Sequence, residues 1–404
     1  MDFAYTNEDE AFRDELTAWL AKHLRPFLET WAGDDDAGDA RSAAGVMRSM
    51  ERRRAWQRTL AEGRWAAIHW PQAWGGRDAT ITQNVLYAEV MAAHRTPGIY
   101  NANGLWQIGP MILAWGTEEQ KRRWIPNILH ADDHWCQGFT EPDAGSDLAN
   151  LRTTAIRDGD DYVLRGQKIW ISSAHLAKWG LFLVRTDPTA IERGAKHEGI
   201  TALIVDLEVD GVEIRPIRDI AGEEMFCEVF FDGARVPVAY RLGGEGQGWA
   251  VAMGTLGKER VGTAGLAIGM RSDLDAMISL ARSTNPGALA DPALRERIAR
   301  AHIEIEYTKL LNYRALSKIL KNQKNWPEVP LAKLQWSHLA QTLAELAIDL
   351  LGPAGMMAKG SDFAVDGGAW NRLYVFQRYT SIGAGTTEVQ KNIIADRALK
   401  LPKR

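Results

Sequence analysis

At 404 residues, with 46% hydrophobic and 25% charged, the chain is long enough to bury sizeable cores in about two or three soluble globular domains. Its formal net charge of −4 speaks against a nucleic-acid partner, because no basic excess is available to displace phosphate counterions. Its two cysteines, Cys136 and Cys227, have no metal-ligand spacing, so no metal is expected; Asp2 stands where a signal peptide needs bases, no apolar run reaches membrane-spanning length, and the expected setting is reduced and cytoplasmic.

The first third reads as helix. Asn7 with Glu10 forms a capping-box pattern, and Phe12, Leu16, Trp19 and Leu20 mark one apolar face. Acid-rich 34–39 reads as a loop. A second helix spans roughly 46–61 and stops near Gly63; Trp70-Pro71 and Trp74-Gly75-Gly76 interrupt, and helix resumes over 81–93. Thr117 and Gln120 open another helix, expected to end before Pro126. From about His134 the period becomes alternating. Segments 154–156 and 162–164 flank Asp158-Gly159, a hairpin signal, and further strands are expected over 181–184, 201–205, 212–214 and 227–231, with turns at 196–199 and 210–211. After Gly248 the pattern is helical again, over about 249–281, 291–320 and 331–351, with a last helix from about Thr386 to Leu399. Trp336, Leu339, Leu343, Leu346 and Leu350 step by three and four, the seam of a bundle.

The expected fold is therefore α+β and mostly α: a helical N-terminal domain over 1–131, a small antiparallel β-domain, barrel-like, over 132–242, and a four-helix bundle over 243–404. Strand and helix do not alternate, which excludes a doubly wound sheet. Gly244-Glu245-Gly246-Gln247-Gly248 imitates a dinucleotide fingerprint, but with the wrong glycine spacing and no following alternation; it reads as a domain-joining turn.

The chemistry points to 137–147, Gln-Gly-Phe-Thr-Glu-Pro-Asp-Ala-Gly-Ser-Asp. A strand-like run leads into it, and its Gly-Ser pair leaves backbone N–H groups free for a phosphate or a polar ring. An ordinary surface turn has the same composition. What separates the two readings is a second segment. Thr140-Glu141-Pro142-Asp143-Ala144-Gly145-Ser146-Asp147 followed by Gly166-Gln167-Lys168-Ile169-Trp170-Ile171-Ser172 resembles the acyl-CoA dehydrogenase family. The resemblance extends over nearly the whole chain: Trp70-Pro71 with Trp74-Gly75-Gly76 is similar to the family's N-terminal domain, and Gly385-Thr386 through Ile394 to its closing helix.

This resemblance implies FAD-dependent α,β-dehydrogenation of an acyl-CoA thioester, with electrons passed to an electron-transfer flavoprotein, in a homo- or heterotetramer without membrane association. Position by position it implies that Gln137, Phe139 and Thr140 meet the flavin, the last two at its pyrimidine side, with Gly145 and Ser146 near the flavin chain. Trp170 would cover one flavin face, with Ile171 and Ser172 beside it and Ser172 reaching N5. Asp349, Gly352, Thr386 and Glu388 complete the expected cofactor set, and Ser146, Arg260 and Gly385 the substrate set. Donors around the pyrimidine stabilise the negative charge of reduced flavin.

The reaction also needs a base for the α-proton. In many family members a glutamate directly precedes the Gly-Thr of the closing segment; here that position is Ala384. In the isovaleryl-type branch the base sits on the first bundle helix, and Glu259 of Gly257-Lys258-Glu259-Arg260 stands at that place. Glu259 also shares a stripe with Ala252, Leu256, Thr263, Leu266 and Met270, so Glu259 is expected to be the base, with its pKa raised by a dry pocket. The competing reading is an exposed charged triplet. The space freed at Ala384 favours branched or bulky acyl chains. Two features depart from the family: 281–287 lacks the Arg-x-x-Phe-Gly segment that holds adenine, where Arg282 stands in at most partly, and the Gln-x-x-Gly-Gly turn appears as Asp349-Leu350-Leu351-Gly352-Pro353. They bring in two alternatives, a non-catalytic partner chain in a mixed tetramer and a flavin-dependent monooxygenase of the same fold.

Overall fold

A computed structural model describes residues 5–32, 43–256, 263–321, 323 and 328–402. The acid-rich stretch 34–39, Glu259 and Arg260 lie outside them. Five helices open the chain: α1 (Asn7–Thr30), α2 (Ala43–Glu62), α3 (Ile81–Ala93), α4 (Gly109–Trp115) and α5 (Glu118–Leu129). The cap of α1 sits one residue earlier than expected. Thr6 accepts from the Asp9 amide and Asp9 closes the box, a hydroxyl–acid pair that meets the same rule as Asn7 and Glu10. Phe12, Leu16 and Leu20 are buried and Trp19 is half-buried, stacked on His23. Helix α5 does not stop before Pro126 but runs through it to Leu129. An interior proline costs about 3 kcal/mol; here Trp124, Ile125, Ile128 and Leu129 are all buried, and that packing holds the last turn.

Eight strands follow: β1 (Trp135–Gly138), β2 (Thr154–Asp158), β3 (Asp161–Ser172), β4 (Trp179–Arg185), β5 (Ile200–Asp206), β6 (Val212–Ile217), β7 (Phe226–Pro237) and β8 (Arg241–Leu242), with a short helix α6 (Thr189–Glu192) between β4 and β5. They form one sheet in the order β6-β7-β3-β2-β4-β5-β8, with β1 added beside β4. The expected hairpin is present: Asp158 pairs with Asp161, and Gly159 supplies the positive φ of the turn at +63°. Pairing is antiparallel except where β4 meets β1 and β2, so the sheet is antiparallel-rich rather than purely antiparallel. Inward residues of β2, β3, β4, β5 and β7 converge on one core, including Tyr162, Leu164, Phe182, Leu203 and Phe231.

The rest is helical: α7 (Gly248–Leu256), α8 (Thr263–Thr284), α9 (Pro292–Leu320), α10 (Glu328–Leu351), α11 (Ala369–Phe376) and α12 (Thr387–Ile393). The single long helix expected over 249–281 is described as α7 and α8, with 257–262 outside the described residues.

By its internal contacts the chain divides into two compact units, one of Met47–Asp78 and Pro97–Glu259, the other of Met1–Val46, Ala79–Thr96 and Arg260–Arg404. In the first, helices dock on the sheet through aromatic rings. Trp124 meets Trp135, Trp179 and Tyr240 edge-on, with the Arg123 guanidinium over the Tyr240 ring at 4.9 Å. Gln120 adds hydrogen bonds to the carbonyls of Ala239 and Arg241. The Gly244–Gly248 segment, expected to join two domains, lies within the first unit and leads from β8 into α7: Glu245 accepts from the Tyr162 hydroxyl at 2.6 Å, and a Cβ at Gly248 would lie 2.5 Å from the Thr201 carbonyl carbon, so only glycine allows this approach. In the second unit α8, α9 and α10 pack together. Leu339, Leu343, Leu346 and Leu350 form the expected seam against Met270, Leu274, Met277 and Ile305, with Trp336 at its edge.

Candidate functional site

The site residues of the first unit are built around β3. Its inward positions, Tyr162, Leu164 and Lys168, are all even-numbered, but Ile171 also points inward. The phase changes because Lys168 pairs with Val229 and Ile171 with Cys227, which leaves one extra residue on β3. Trp170 occupies this bulge with a left-handed φ of +59°, a conformation costing a non-glycine residue about 1–3 kcal/mol. Its side chain is 54% exposed, against the edge of Phe226. A core tryptophan on a regular strand would show neither feature.

The loop after β1 is held from below. The Ile169 amide donates to the Thr140 carbonyl at 3.0 Å, and Lys168 Nζ donates to the Phe139 carbonyl at 3.1 Å. With both carbonyls engaged by β3, the Thr140 amide and hydroxyl are left without a protein partner among the described residues. Lys168 is fully buried and also pairs with Glu141 at 2.7 Å. Glu141 Oε2 accepts from the Arg152 amide (2.6 Å), and Oε1, the oxygen that Lys168 holds, also accepts from the Thr153 amide (2.9 Å). Burial pushes the Glu141 pKa upward, but the Lys168 charge and these hydrogen bonds outweigh it and hold the carboxyl below its ordinary range. Burial likewise pushes Lys168 down to about 8, with Glu141 opposing.

Beyond Glu141 the loop turns outward. Gly145, Ser146 and Asp147 are exposed, and a Cβ at Gly145 would touch only Thr140 Cγ2 at 3.9 Å, so the loop has open space on that side. Asp147 is paired with Lys196 at 2.7 Å. Arg185, 1% exposed at the end of β4, donates to the carbonyls of Ala149 (2.7 Å), Leu151 (3.3 Å), Lys196 (3.0 Å) and Glu198 (2.7 Å), tying the end of the loop to the turn at 196–199.

Gln137, Phe139, Thr140, Gly145, Ser146, Trp170, Ile171 and Ser172 are thus carried by β1, its loop and the adjoining end of β3. Gln137 and Ser172 are half-buried; Ile171 is 1% exposed and faces the core, so only its backbone is free to meet a ligand. The remaining expected residues belong to the second unit. Asp349 is exposed and bound to Arg297 at 2.5 Å, and Gly352 takes a φ of +62° just past α10. Thr386 caps α12 by accepting from the Val389 amide, with Glu388 exposed in the first turn. Ala384 and Gly385 both have positive φ, +55° and +93°. Arg282 is exposed in the last turn of α8. Among the described residues no group of His, Cys, Asp or Glu could hold a metal, and no helix is long and apolar enough to cross a membrane.

Sequence reasoning quoted Glu141 and Lys168 only as parts of motifs and overlooked Arg185. The available signal was a lysine in phase with Tyr162 and Leu164 on an alternating strand, where a charge needs a buried partner.

Three families describe the chain in consecutive pieces: the acyl-CoA dehydrogenase N-terminal domain over residues 6–132, the middle domain over 136–234 and the C-terminal domain over 246–399. Acyl-CoA dehydrogenase IpdE1 of Mycobacterium tuberculosis is 38% identical over 98% of either chain. Among solved structures, the Tcur3481-Tcur3483 steroid ACAD superposes with a TM-score of 0.83 at 29% identity over 100% of both chains. The ChsE4-ChsE5 complex from Mycobacterium tuberculosis gives a TM-score of 0.81 at 30% identity, again over 100% of both. With all three domains matched in order and a relative aligned end to end, the chain belongs to the acyl-CoA dehydrogenase family and is an oxidoreductase acting on acyl-CoA.

Proposed function

We propose that this chain carries out FAD-dependent α,β-dehydrogenation of a branched or bulky acyl-CoA. The observation that carries the flavin assignment is Trp170, turned out of the sheet on a left-handed bulge beside a loop whose Thr140 donors have no protein partner. An exposed aromatic face and free donors suit a planar ring with a polar edge, and the open side of Gly145 suits its chain. A bound flavin supplies the hydride acceptor for the substrate β-carbon. Thr140 and the Phe139 backbone bind its pyrimidine edge, where donors stabilise negative charge. Trp170 covers one face, Ser172 reaches the reacting edge, and Gln137 and the Ile171 backbone border it. Gly145 and Ser146 border the flavin chain, and Ser146 also the substrate's phosphopantetheine arm. Asp349, Gly352, Thr386 and Glu388 hold the remainder of the cofactor.

Glu259 takes the α-proton, with Arg260 and Gly385 beside the thioester. The motif around Glu259 supports this role, as does Ala384, which has no proton acceptor where many family members have glutamate. An anaerobic titration of the purified protein with short, branched, aromatic and steroid acyl-CoAs tests the reading. The flavin should bleach with the bulkier substrates, and Glu259→Gln should keep its flavin and lose the bleaching. Flavin reduction at the parent rate in Glu259→Gln would remove the base assignment. Electrons then pass to an electron-transfer flavoprotein, and the chain works as a tetramer in the cytoplasm.

A mixed assembly is the second reading. Two of the similar solved structures are named as pairs of chains, ChsE4-ChsE5 and Tcur3481-Tcur3483, and this chain departs from the family at 281–287 and 349–353, which the resemblance assigns to a subunit contact. If the chain binds flavin and bleaches only when co-expressed with a second dehydrogenase chain, this reading replaces the homomeric one.

A further inference from the structure

Lys168 and Glu141 touch no part of the surface offered to a ligand, yet they are among the most buried charges in the described chain: Lys168 is 0% and Glu141 6% exposed. A buried ion pair is a poor source of stability, because desolvating two charges cancels most of their attraction, and well-packed neutral groups often do as well. This pair has a directional consequence instead. The ammonium reaches the Glu141 carboxylate and the Phe139 carbonyl together, at 2.7 and 3.1 Å. The carboxylate in turn holds the amides of Arg152 and Thr153. Three segments are tied to one charge pair: the turn at 139–141, the start of β2, and β3 immediately before the Trp170 bulge.

The orientation of two peptide groups follows. With the Phe139 carbonyl drawn to Lys168 and the Thr140 carbonyl to the Ile169 amide, both acceptors face the protein. The Thr140 amide, on the opposite side of its peptide from the Phe139 carbonyl, faces away from Lys168. Reversing the Phe139–Thr140 peptide would present a carbonyl where the Thr140 amide is needed and would repel an electron-rich ring edge; the next amide, that of Glu141, is occupied by the Ala144 carbonyl.

We infer that the Glu141–Lys168 pair is a positioning device: it fixes the Phe139–Thr140 peptides so that donors rather than carbonyls meet the pyrimidine edge of the flavin. This rests on the flavin reading above. Neither residue is catalytic, since neither reaches substrate or cofactor. The pair acts through the backbone of Phe139 and Thr140 and, through the same strand, on the base of the Trp170 bulge.

The test uses the full chain purified as holoprotein, then stripped of flavin and titrated with FAD. Two variants are compared, Lys168→Met and the charge-neutral double variant Glu141→Gln/Lys168→Met. Lys168→Met strands a buried carboxylate and is expected to melt at lower temperature. The double variant leaves no unpaired charge and is expected to melt near the parent in flavin-free form. Its FAD dissociation constant should nonetheless rise about tenfold or more, the loss of one well-placed contact, with a shift in the visible flavin spectrum and in the flavin midpoint potential. A double variant that matches the parent in melting, FAD affinity, spectrum and potential would overturn the inference and leave the pair a structural one. If the double variant also melts well below the parent, its spectrum and potential decide: unchanged values in the flavin-saturated variant overturn the positioning role, shifted values support it. A parent protein that neither carries nor takes up FAD overturns both the flavin reading and the inference, an outcome distinct from a parent that binds FAD beside a double variant that binds it equally well.

Discussion

Arg185→Met removes the buried side chain that ties the backbone at the end of the loop to the turn at 196–199, alongside the exposed Asp147–Lys196 pair. Arg185 is 1% exposed and donates to four backbone carbonyls, those of Ala149, Leu151, Lys196 and Glu198. Methionine fills much of the same volume but supplies no donor. The Ala149 and Leu151 carbonyls belong to residues only 2% and 0% exposed, so water cannot easily replace the lost partner. Each buried acceptor left unsatisfied costs about 1–3 kcal/mol. The Lys196 and Glu198 carbonyls lie closer to solvent and recover part of their bonding from water. Removing the cation also relieves its desolvation, which already lowers the Arg185 pKa. The net expectation is a loss of about 3 kcal/mol, a large part of the 5–15 kcal/mol typical of a domain. Urea unfolding followed by tryptophan fluorescence should show a midpoint lower by about 1 M for a denaturant slope near 3 kcal/mol/M. Amide exchange across 147–152 should accelerate more than in the α8–α10 core, because the loop is released locally before the unit unfolds. A variant with the parent's midpoint and the parent's exchange in 147–152 would refute the assignment of Arg185 as the anchor of this loop.

Other perturbations separate folding from function. Trp170→Gly and Trp170→Ala remove the same ring, but glycine takes the +59° φ without strain, so the glycine variant should be more stable than the alanine variant by about 1 kcal/mol. Both should bind FAD more weakly than the parent, and equal FAD affinity in all three would exclude Trp170 as a cover for the ring. His134 is 8% exposed, and burial, aided by the nearby His175 charge, lowers its pKa to about 4. Its unfolded form binds a proton near pH 6.5, so the stability of the neutral folded form is complete above that value and is lost as pH falls from about 6.5 to 4. His134→Phe keeps an aromatic ring edge-on to Tyr100 and should flatten the melting temperature across that window; a profile as steep as the parent's would place the acid sensitivity elsewhere.

Local chemistry determined much of this protein without help from its fold. Helix α3 runs from Ile81 to Ala93 as its cap and period require, the Asp158–Asp161 hairpin follows from its glycine, and the Leu339–Leu350 seam follows from steps of three and four. The paired motifs at 140–147 and 166–172 carried the family assignment, because the residues that would meet a cofactor are contiguous in the chain. Tertiary structure decided matters that depend on what lies opposite. Helix α5 passes Pro126 because Trp124, Ile125 and Ile128 are buried around it, and local propensity alone stops it. The bulge that turns Trp170 outward depends on register with β7, which cannot be read from β3 alone. The partners of Lys168 and Arg185 lie 11 to 36 residues away in the chain, so a sequence displays the charges but not the carbonyls and carboxylate that they hold. The free donors of Thr140 follow from this. A loop residue is polar by its sequence, but the direction its peptide faces is set by the strand beneath it.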